Sequence, residues 1–194
     1  MTKVIGLTGG IGSGKTIVAK YIESLGIPVY IADDEARKLM DTKEIIDAVS
    51  ETFGSKILEH GKINRTALAK LVFNNSEQLE KLNSIIHPKV KQHFDTWLDK
   101  HKKHPWVVKE AAILFESGSY KGCDAIITVT APLETRIQRV MERDKTDRES
   151  VLQRMQSQWT DEQRIAKSTY VIHNISLKET HKKIEQILKL LTNQ

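Results

Sequence analysis

The chain has 194 residues, of which 39% are hydrophobic and 28% are charged, and it contains only 4 prolines and 10 glycines. These values exclude disordered and fibrous proteins, and the length predicts one core with one or two inserted lobes rather than a second full domain. The formal charge of +5 favours a polyanionic partner, which is either a nucleic acid or a small molecule with several phosphates.

The first part of the chain predicts a strand, helix, strand unit. Lys3 to Thr8 is a short apolar run that ends in glycines, which is typical of a buried strand. A helix follows over about residues 14–25, then a second strand over 27–32 and a helix that opens at Asp33 or Asp34. The inward face of the first helix should consist of Val18, Ala19, Ile22 and Leu25.

The next segment, from Asp41 to Lys103, has a helical and amphipathic pattern. Two features interrupt it: residues 53–64, and the pair His87 and Pro88, where proline stops or kinks a helix. We interpret residues 41–103 as an inserted helical lobe.

The rest of the chain returns to short β-branched runs, each followed by a helical pattern. These runs are Trp106 to Lys109, Ala125 to Thr130 and Tyr170 to His173, and a closing helix covers Leu177 to Leu191. Five strands that alternate with helices predict an α/β fold with a five-stranded parallel sheet flanked by helices. The inward face of the closing helix should consist of Ile184, Ile187, Leu188 and Leu191.

Residues 9–16, called the phosphate loop below, match the pattern G-x-x-x-x-G-K-[ST] between the first strand and the first helix. Its glycines allow successive N–H groups to turn toward one anion, Lys15 would reach the β- and γ-phosphates, and the Thr16 hydroxyl would bind Mg²⁺. Two alternatives fit the sequence less well. A simple tight turn would not require all eight positions to match the pattern, and a dinucleotide-binding loop would have a glycine where this chain has Lys15. We therefore predict nucleoside triphosphate binding, and the predicted contacts are Gly10, Ile11, Gly12, Ser13, Gly14, Lys15 and Thr16.

A P-loop kinase for a small molecule suits this short chain better than a GTPase or a mechanical ATPase. Asp33 follows the second strand at its carboxyl end and could take the proton of an acceptor hydroxyl. The alternative for Asp33 is a helix N-cap. Arg136, Arg139 and Arg143 share one helix face and could stabilise transition-state charge, or form an ordinary solvated surface.

The sequence also predicts the compartment and the partners. The single cysteine, Cys123, excludes an intrachain disulfide and suits a reducing compartment. We see no signal peptide pattern, and no apolar stretch approaches the roughly 20 residues of a membrane helix. We expect a cytoplasmic protein with a small-molecule substrate and neither a nucleic-acid nor a membrane partner, and the sequence does not predict the oligomeric state.

The sequence contains IGLTGGIGSGKT, then the ordered set ADDEAR, NRTALAKLVF, IHPKV and ILFE, and later RVMERD, RMQSQ and VIHN. Through these segments, nearly the whole chain resembles the dephospho-CoA kinase family. Many families share the phosphate loop, whereas the ordered set is specific. The resemblance implies one P-loop kinase domain over residues 1–194, with a core (1–40, 104–135 and 160–194), an acceptor-binding lobe (41–103) and a lid (136–159).

The resemblance implies transfer of a phosphoryl group from ATP, with Mg²⁺, to the ribose 3′-hydroxyl of dephospho-CoA, the last step of coenzyme A synthesis. Carried over by position, Asp33 would be the general base, and Lys15, Arg139 and Arg143 would act on the phosphates. Arg37, Arg65 and His87 are candidates for acceptor contacts, although Arg65 could equally anchor its helix. The alternatives are a kinase for another small hydroxyl acceptor, a nucleic-acid-binding NTPase and a nucleotide sensor.

Several positions depart from the family pattern. Ile31 stands where the family often has a first acid before Asp33, and Arg136 stands where glutamine is common. Ala112, Ser168 and Thr169 also differ from the common residues. These departures leave Lys15, Thr16 and Asp33 in place.

Overall fold

The structure, a computed structural model, describes residues 2–72 and 75–192. Phe73, the last residue of the NRTALAKLVF segment, lies outside the described residues. The strands are β1 (Lys3–Thr8), β2 (Val29–Ile31), β3 (Leu58–Glu59), β4 (Lys62–Ile63), β5 (Trp106–Glu110), β6 (Ala125–Thr130) and β7 (Tyr170–His173). The helices are α1 (Lys15–Ser24), α2 (Ala32–Leu39), α3 (Lys43–Phe53), α4 (Arg65–Val72), α5 (Ser76–Lys100), α6 (Leu133–Asp144), α7 (Arg148–Gln156), α8 (Asp161–Ala166) and α9 (Leu177–Thr192).

Five strands form one parallel sheet in the order β2-β5-β1-β6-β7. β6 is buried along its whole length and β1 along all but its first residue. Continuous apolar strands of this kind belong to sheets that helices cover on both faces. The predicted five-stranded parallel sheet is confirmed.

All strands of a parallel sheet end at the same edge. The register aligns the carboxyl ends of three neighbouring strands, β2, β5 and β1. Glu110, the last residue of β5, pairs with Leu7 of β1 on one side and with Ile31 of β2 on the other. The phosphate loop therefore leaves the sheet beside the Glu110 carboxylate, at the edge where open α/β sheets bind ligands.

Two predictions near the first helix are wrong in detail. The second strand covers Val29–Ile31 rather than residues 27–32, and α2 begins at Ala32, so neither Asp33 nor Asp34 opens it. Leu25 is 46% exposed instead of inward. The reason is that α1 ends at Ser24, and Gly26, in the left-handed region with a φ of 81°, then turns the chain.

The chain divides into two compact units, Met1–Ile31 with His101–Gln194, and Ala32–Lys100. The first unit contains the parallel sheet, and α1 and α9 pack on it through residues that were predicted to face inward. This part of the prediction is confirmed. The buried hydrophobic residues of α1 and α9 are Val18, Ala19, Ile22, Ile184, Ile187, Leu188 and Leu191.

The second unit, Ala32–Lys100, has its own apolar core between α3, α4, α5 and the β3–β4 hairpin. The predicted interruption at residues 53–64 is this hairpin, preceded by a short 3₁₀ turn, Ser55–Ile57. The core consists of Ile45, Val49, Ile57, Ile63, Leu68, Val72 and Leu82.

Pro88 does not end a helix, which corrects one reading of the sequence. α5 runs through it without a break from Ser76 to Lys100. Proline has a φ close to the helical value, but it lacks the N–H for the carbonyl four residues earlier and its ring crowds that carbonyl. That residue, Ser84, is exposed, as is Pro88, so water can bind the released carbonyl.

Candidate functional site

Four consecutive carbonyl groups of the phosphate loop, those of residues 10–13, accept hydrogen bonds. The donors, in the order of the carbonyls, are the Ser13 N–H (3.1 Å), Arg136 Nε (3.0 Å), Arg139 Nη1 (3.5 Å) and Asn174 Nδ2 (2.9 Å). The C=O and N–H of a trans peptide point in opposite directions. Arg136 and Asn174 therefore turn the N–H groups of Gly12 and Gly14 away from themselves, toward the opposite side of the loop.

The first turn of α1 continues this set of donors. Lys15 and Thr16 are its first residues, and the first N–H groups of a helix have no partner within it. The partial positive charge of the helix N-terminus adds to them. Together with Gly12 and Gly14, they form the kind of N–H cluster that binds phosphates in proteins.

Two glycines of the loop are required by both conformation and space. Gly12 and Gly14 have φ angles of 80° and 91°, in the left-handed region. A Cβ at Gly12 would overlap the backbone carbonyl of Arg136, and one at Gly14 would overlap the Asn174 amide. No side chain can be added here without displacing the groups that shape the loop.

We expect Gly12→Ala to destabilise the protein more than Gly26→Ala, although the two glycines have nearly the same φ of 80° and 81°. Gly26 has open space around it, so alanine should cost only the left-handed strain of about 1–2 kcal/mol. Gly12→Ala adds the overlap with Arg136 and should also weaken ADP binding. Urea denaturation and calorimetric titration test this prediction. Equal losses in the free energy of unfolding, with unchanged ADP affinity, would show that the loop can accommodate a side chain at Gly12.

Lys15 lies in the loop beside an acidic partner. Its Nζ is 3.5 Å from Oε1 of Glu110, and the two side chains are only 13% and 7% exposed. Desolvated charges interact strongly, so Glu110 holds the Lys15 ammonium at the edge of the sheet.

A network of buried charges supports the loop from the side of α6 and α8. Arg136 Nη1 donates to Asp161 Oδ2 at 2.9 Å, and the Thr130 hydroxyl donates to the same oxygen. Arg164, which is completely buried, binds Glu116 at 3.1 Å and lies 3.5 Å from Asp161. Burial lowers the pKa of Arg164, and the two carboxylates oppose this change. Buried charges persist when they are paired in this way.

The three arginines predicted to share one exposed face have different environments. Arg136 is only 8% exposed and belongs to the buried network, so the solvated-surface alternative is wrong for it. Arg139 reaches the phosphate loop and also donates to the Asn174 carbonyl at 3.2 Å. Arg143 pairs instead with Asp144 at 2.6 Å, and this pairing holds the pKa of Asp144 well below its usual range. The structure thus brings Arg139, but not Arg143, to the loop.

Asp33 is an exposed residue in the first turn of α2, two residues after the end of β2. Because α2 begins at Ala32, Asp33 lies inside the helix, and the N-cap interpretation of this residue is wrong. Among residues 2–72 and 75–192 its carboxylate forms no hydrogen bond or ion pair.

The other predicted acceptor contacts also lie in the second unit. Arg65 Nη2 donates to the Arg37 carbonyl at 3.0 Å and to Asp41 at 2.9 Å, so Arg65 does anchor α4 to the end of α2. The Arg37 side chain is 68% exposed and faces Asp34 at 3.4 Å. His87 lies in α5, and partial burial lowers its pKa, which favours the neutral imidazole.

A cavity of about 790 Å³ lies in the first unit, and two of its lining residues, Arg136 and Gln158, form hydrogen bonds to Ile11 of the phosphate loop. It combines apolar walls with Arg136 and Asp161, and the Trp159 ring in its wall stacks on Phe115 with 5.2 Å between ring centroids. Such a lining suits an aromatic ligand with polar edges. The other apolar wall residues include Leu133, Leu152, Ile165 and Ile175.

Sequence reasoning did not assign a role to Asp161, Arg164 or Asn174. Asp161 and Arg164 belong to a helix whose only local signal is the capping box of Thr160 and Gln163. Asn174 follows the last strand, and its contact with Ser13 spans 161 positions. No local pattern could have revealed this contact.

The part of the chain that the structure describes contains no cluster of three or more His, Cys, Asp or Glu residues suited to a metal ion. In the same residues, no helix is both long and apolar enough to span a membrane.

A parallel sheet of this strand order, with a phosphate loop after its central strand, defines the P-loop kinase class. Known proteins agree with this assignment. A Dephospho-CoA kinase from Campylobacter jejuni superposes with a TM-score of 0.65 at 24% identity over 100% of this chain and 99% of that one. The protein TT1252 from Thermus thermophilus superposes with a TM-score of 0.90 at 33% identity over 97% of both chains.

The family model for dephospho-CoA kinases (CoaE) matches residues 3–179. A Dephospho-CoA kinase from Fusobacterium nucleatum is 42% identical over 97% of this chain and 98% of its own length. One from Bacteroides fragilis is 40% identical over 96% of this chain and 90% of its own length. The chain belongs to the dephospho-CoA kinase family, and the family predicted from the sequence is confirmed.

Proposed function

We propose that this chain transfers the γ-phosphoryl group of ATP to the ribose 3′-hydroxyl of dephospho-CoA, which yields coenzyme A and ADP. The observation that carries the proposal is the phosphate loop, in which Arg136 and Asn174 hold two carbonyl groups so that the N–H groups of Gly12 and Gly14 point away from these side chains. Family membership supplies the acceptor, because phosphate recognition alone would suit any P-loop kinase.

In the proposed reaction, the acceptor oxygen forms a bond to the γ-phosphorus while the bond to the β,γ-bridging oxygen breaks, and ADP leaves with that electron pair. Asp33 takes the proton of the attacking hydroxyl. Its support is an exposed carboxylate at the start of α2, with no competing ion pair among the described residues. Lys15 and the N–H groups of the loop hold the β- and γ-phosphates in line for transfer.

The arginines have separate proposed roles. Arg139 contacts the loop at the Gly12 carbonyl, and we propose that its side chain reorients toward the phosphates when ATP binds. Arg143 would have to leave Asp144 to do the same. In the second unit, we propose that Arg37, Arg65 and neutral His87 contact the acceptor, and that residues 41–103 are the acceptor-binding lobe.

We also propose a Mg²⁺ ion, held by the Thr16 hydroxyl. Thr16 is exposed in the first turn of α1, and Mg²⁺ prefers a few oxygen ligands together with phosphate oxygens and water. The Thr16 hydroxyl therefore fits the ion, which would take its remaining ligands from phosphate oxygens and water rather than from carboxylates. When bound, Mg²⁺ would neutralise charge on the β- and γ-phosphates.

We propose a cytoplasmic location. The single cysteine of the sequence, Cys123, is free and partly buried, and a chain with one cysteine and no intrachain disulfide suits a reducing compartment. That the protein has no nucleic-acid partner stays a prediction.

An acceptor panel tests the proposed function. The protein is incubated with ATP, Mg²⁺ and one of four acceptors: dephospho-CoA, its 3′-deoxy analogue, adenosine or shikimate. We expect one added phosphoryl group by mass spectrometry on dephospho-CoA alone, at the 3′ position by ³¹P NMR. Transfer to the 3′-deoxy analogue would contradict the proposed position, and transfer to another acceptor in preference to dephospho-CoA would contradict the substrate.

A further inference from the structure

Ile11, the third residue of the phosphate loop, is held by the predicted lid segment, residues 136–159, at three points. Its N–H donates to Oε1 of Gln158 at 3.0 Å, and its carbonyl accepts from Nε of Arg136 at 3.0 Å. Its side chain packs on an apolar cluster between α6 and α7. That cluster consists of Ile137, Val140 and Val151. The two ends of the lid segment therefore meet at one residue of the loop.

The two hydrogen bonds fix the peptide planes on both sides of the Ile11 Cα. In the peptide between Gly10 and Ile11, the N–H group donates to Gln158, and the Gly10 carbonyl accepts from the Ser13 N–H at 3.1 Å. In the peptide between Ile11 and Gly12, the carbonyl accepts from Arg136, so the Gly12 N–H points away from that arginine. The orientation of one phosphate-binding N–H thus depends on contacts from the lid segment.

Arg136 is itself fixed. Its side chain is 10% exposed, and its ion pair with Asp161, the first residue of α8, is 2.9 Å long. A Cβ at Gly10 would overlap its guanidinium, and one at Gly12 would overlap its backbone carbonyl. Arg136 therefore lies against the loop at both glycines, and a larger residue at Gly12 would have to displace its backbone.

We propose that Ile11 is the joint through which the lid segment sets the conformation of the phosphate loop, with Arg136 and Gln158 as positioning residues for ATP. This inference rests on the proposed function, because its ligand is the triphosphate.

The test compares wild type, Arg136→Met, Gln158→Met and the double variant. Methionine keeps much of the length of both side chains and removes the hydrogen bonds. Arg148→Met is the matched control, because Arg148 also lies in the lid segment but pairs with Glu134, and its side chain is 51% exposed. The measurements are the dissociation constant of ATP by calorimetry, kcat and KM for both substrates, and the denaturation midpoint without nucleotide.

We expect Gln158→Met to raise the dissociation constant of ATP by about 5- to 10-fold, the effect of one lost hydrogen bond. Arg136→Met should raise it by at least as much, because it also removes the ion pair with Asp161. KM for ATP should rise in parallel while KM for dephospho-CoA and the Arg148→Met control stay at wild-type values. The double variant should lose little more than the worse single variant, because both changes release the same residue.

Three results would overturn the inference: single variants that bind ATP as tightly as Arg148→Met, losses that multiply in the double variant, or a lowered denaturation midpoint with unchanged ATP affinity. A wild-type protein that binds no ATP would overturn the proposed function instead. The wild-type titration, performed first, therefore separates the two failures.

Discussion

Lys15→Met should lower kcat/KM for ATP-dependent transfer by about 10²- to 10³-fold, the loss typical of removing one donor from a preorganised anion site. Methionine keeps the length of the side chain and removes its charge. In the present site the Lys15 side chain is only 13% exposed, and its ammonium group lies 3.5 Å from the Glu110 carboxylate. The substitution therefore removes a cation from the phosphates, and it also removes the positive charge that balances the Glu110 carboxylate near them.

Steady-state kinetics and ADP titration would measure this loss. Lys20→Met is a suitable control, because Lys20 lies on the same helix, is exposed, and has the same change in charge. If Lys15→Met stayed within the range of the control, the assignment of the phosphate site to this loop would be wrong.

Asp33→Asn should reduce kcat by about 10²- to 10⁴-fold, the range for loss of a general base, while the affinity for ATP stays close to that of the wild type. Asparagine has the size of aspartate but cannot accept the proton of the attacking hydroxyl at neutral pH. Because Asp33 is exposed and unpaired among the described residues, the change should leave the stability of the fold almost unaltered.

The neighbouring Asp34 provides the control. It is also exposed, its contact with Arg37 is long at 3.4 Å, and Asp34→Asn removes the same charge one position away. Single-turnover rates, thermal midpoints and ATP titrations of both variants would separate chemistry from binding. Equal, small effects of the two substitutions would reject Asp33 as the base.

The order of strands and helices could be read from the sequence because the pattern that specifies a buried strand is local. Ala125–Thr130 and Tyr170–His173 were predicted with the bounds that the structure has. The second strand is shorter than predicted, because an apolar run shows where a chain is buried but not where its hydrogen bonds to a neighbour begin. The Val108 N–H donates to the Pro28 carbonyl, and the regular pairing of β2 with β5 starts one residue later, at Val29.

The candidate site was predictable only in its central part. The spacing of glycines, lysine and threonine specifies a phosphate loop because the function itself acts through consecutive residues. The groups that shape the loop lie far along the chain, and nothing in the local sequence distinguishes Arg136, which is buried, from Arg143, which is paired with its neighbour Asp144. A stripe of arginines at helical spacing predicts a face of the helix but not the partners of that face.

The long separations in this architecture also determine when the nucleotide site can form during protein synthesis. β1 is an interior strand, yet both of its neighbours, β5 and β6, are made about 100 residues later. The contacts of Ile11 with Arg136 and of Ser13 with Asn174 span 125 and 161 positions. Contacts of such high order form slowly and late in folding. On the ribosome, the apolar segment of β1 and the phosphate loop therefore have no partners until most of the polypeptide has emerged. A truncated translation product would contain the whole phosphate-loop sequence without a formed binding site.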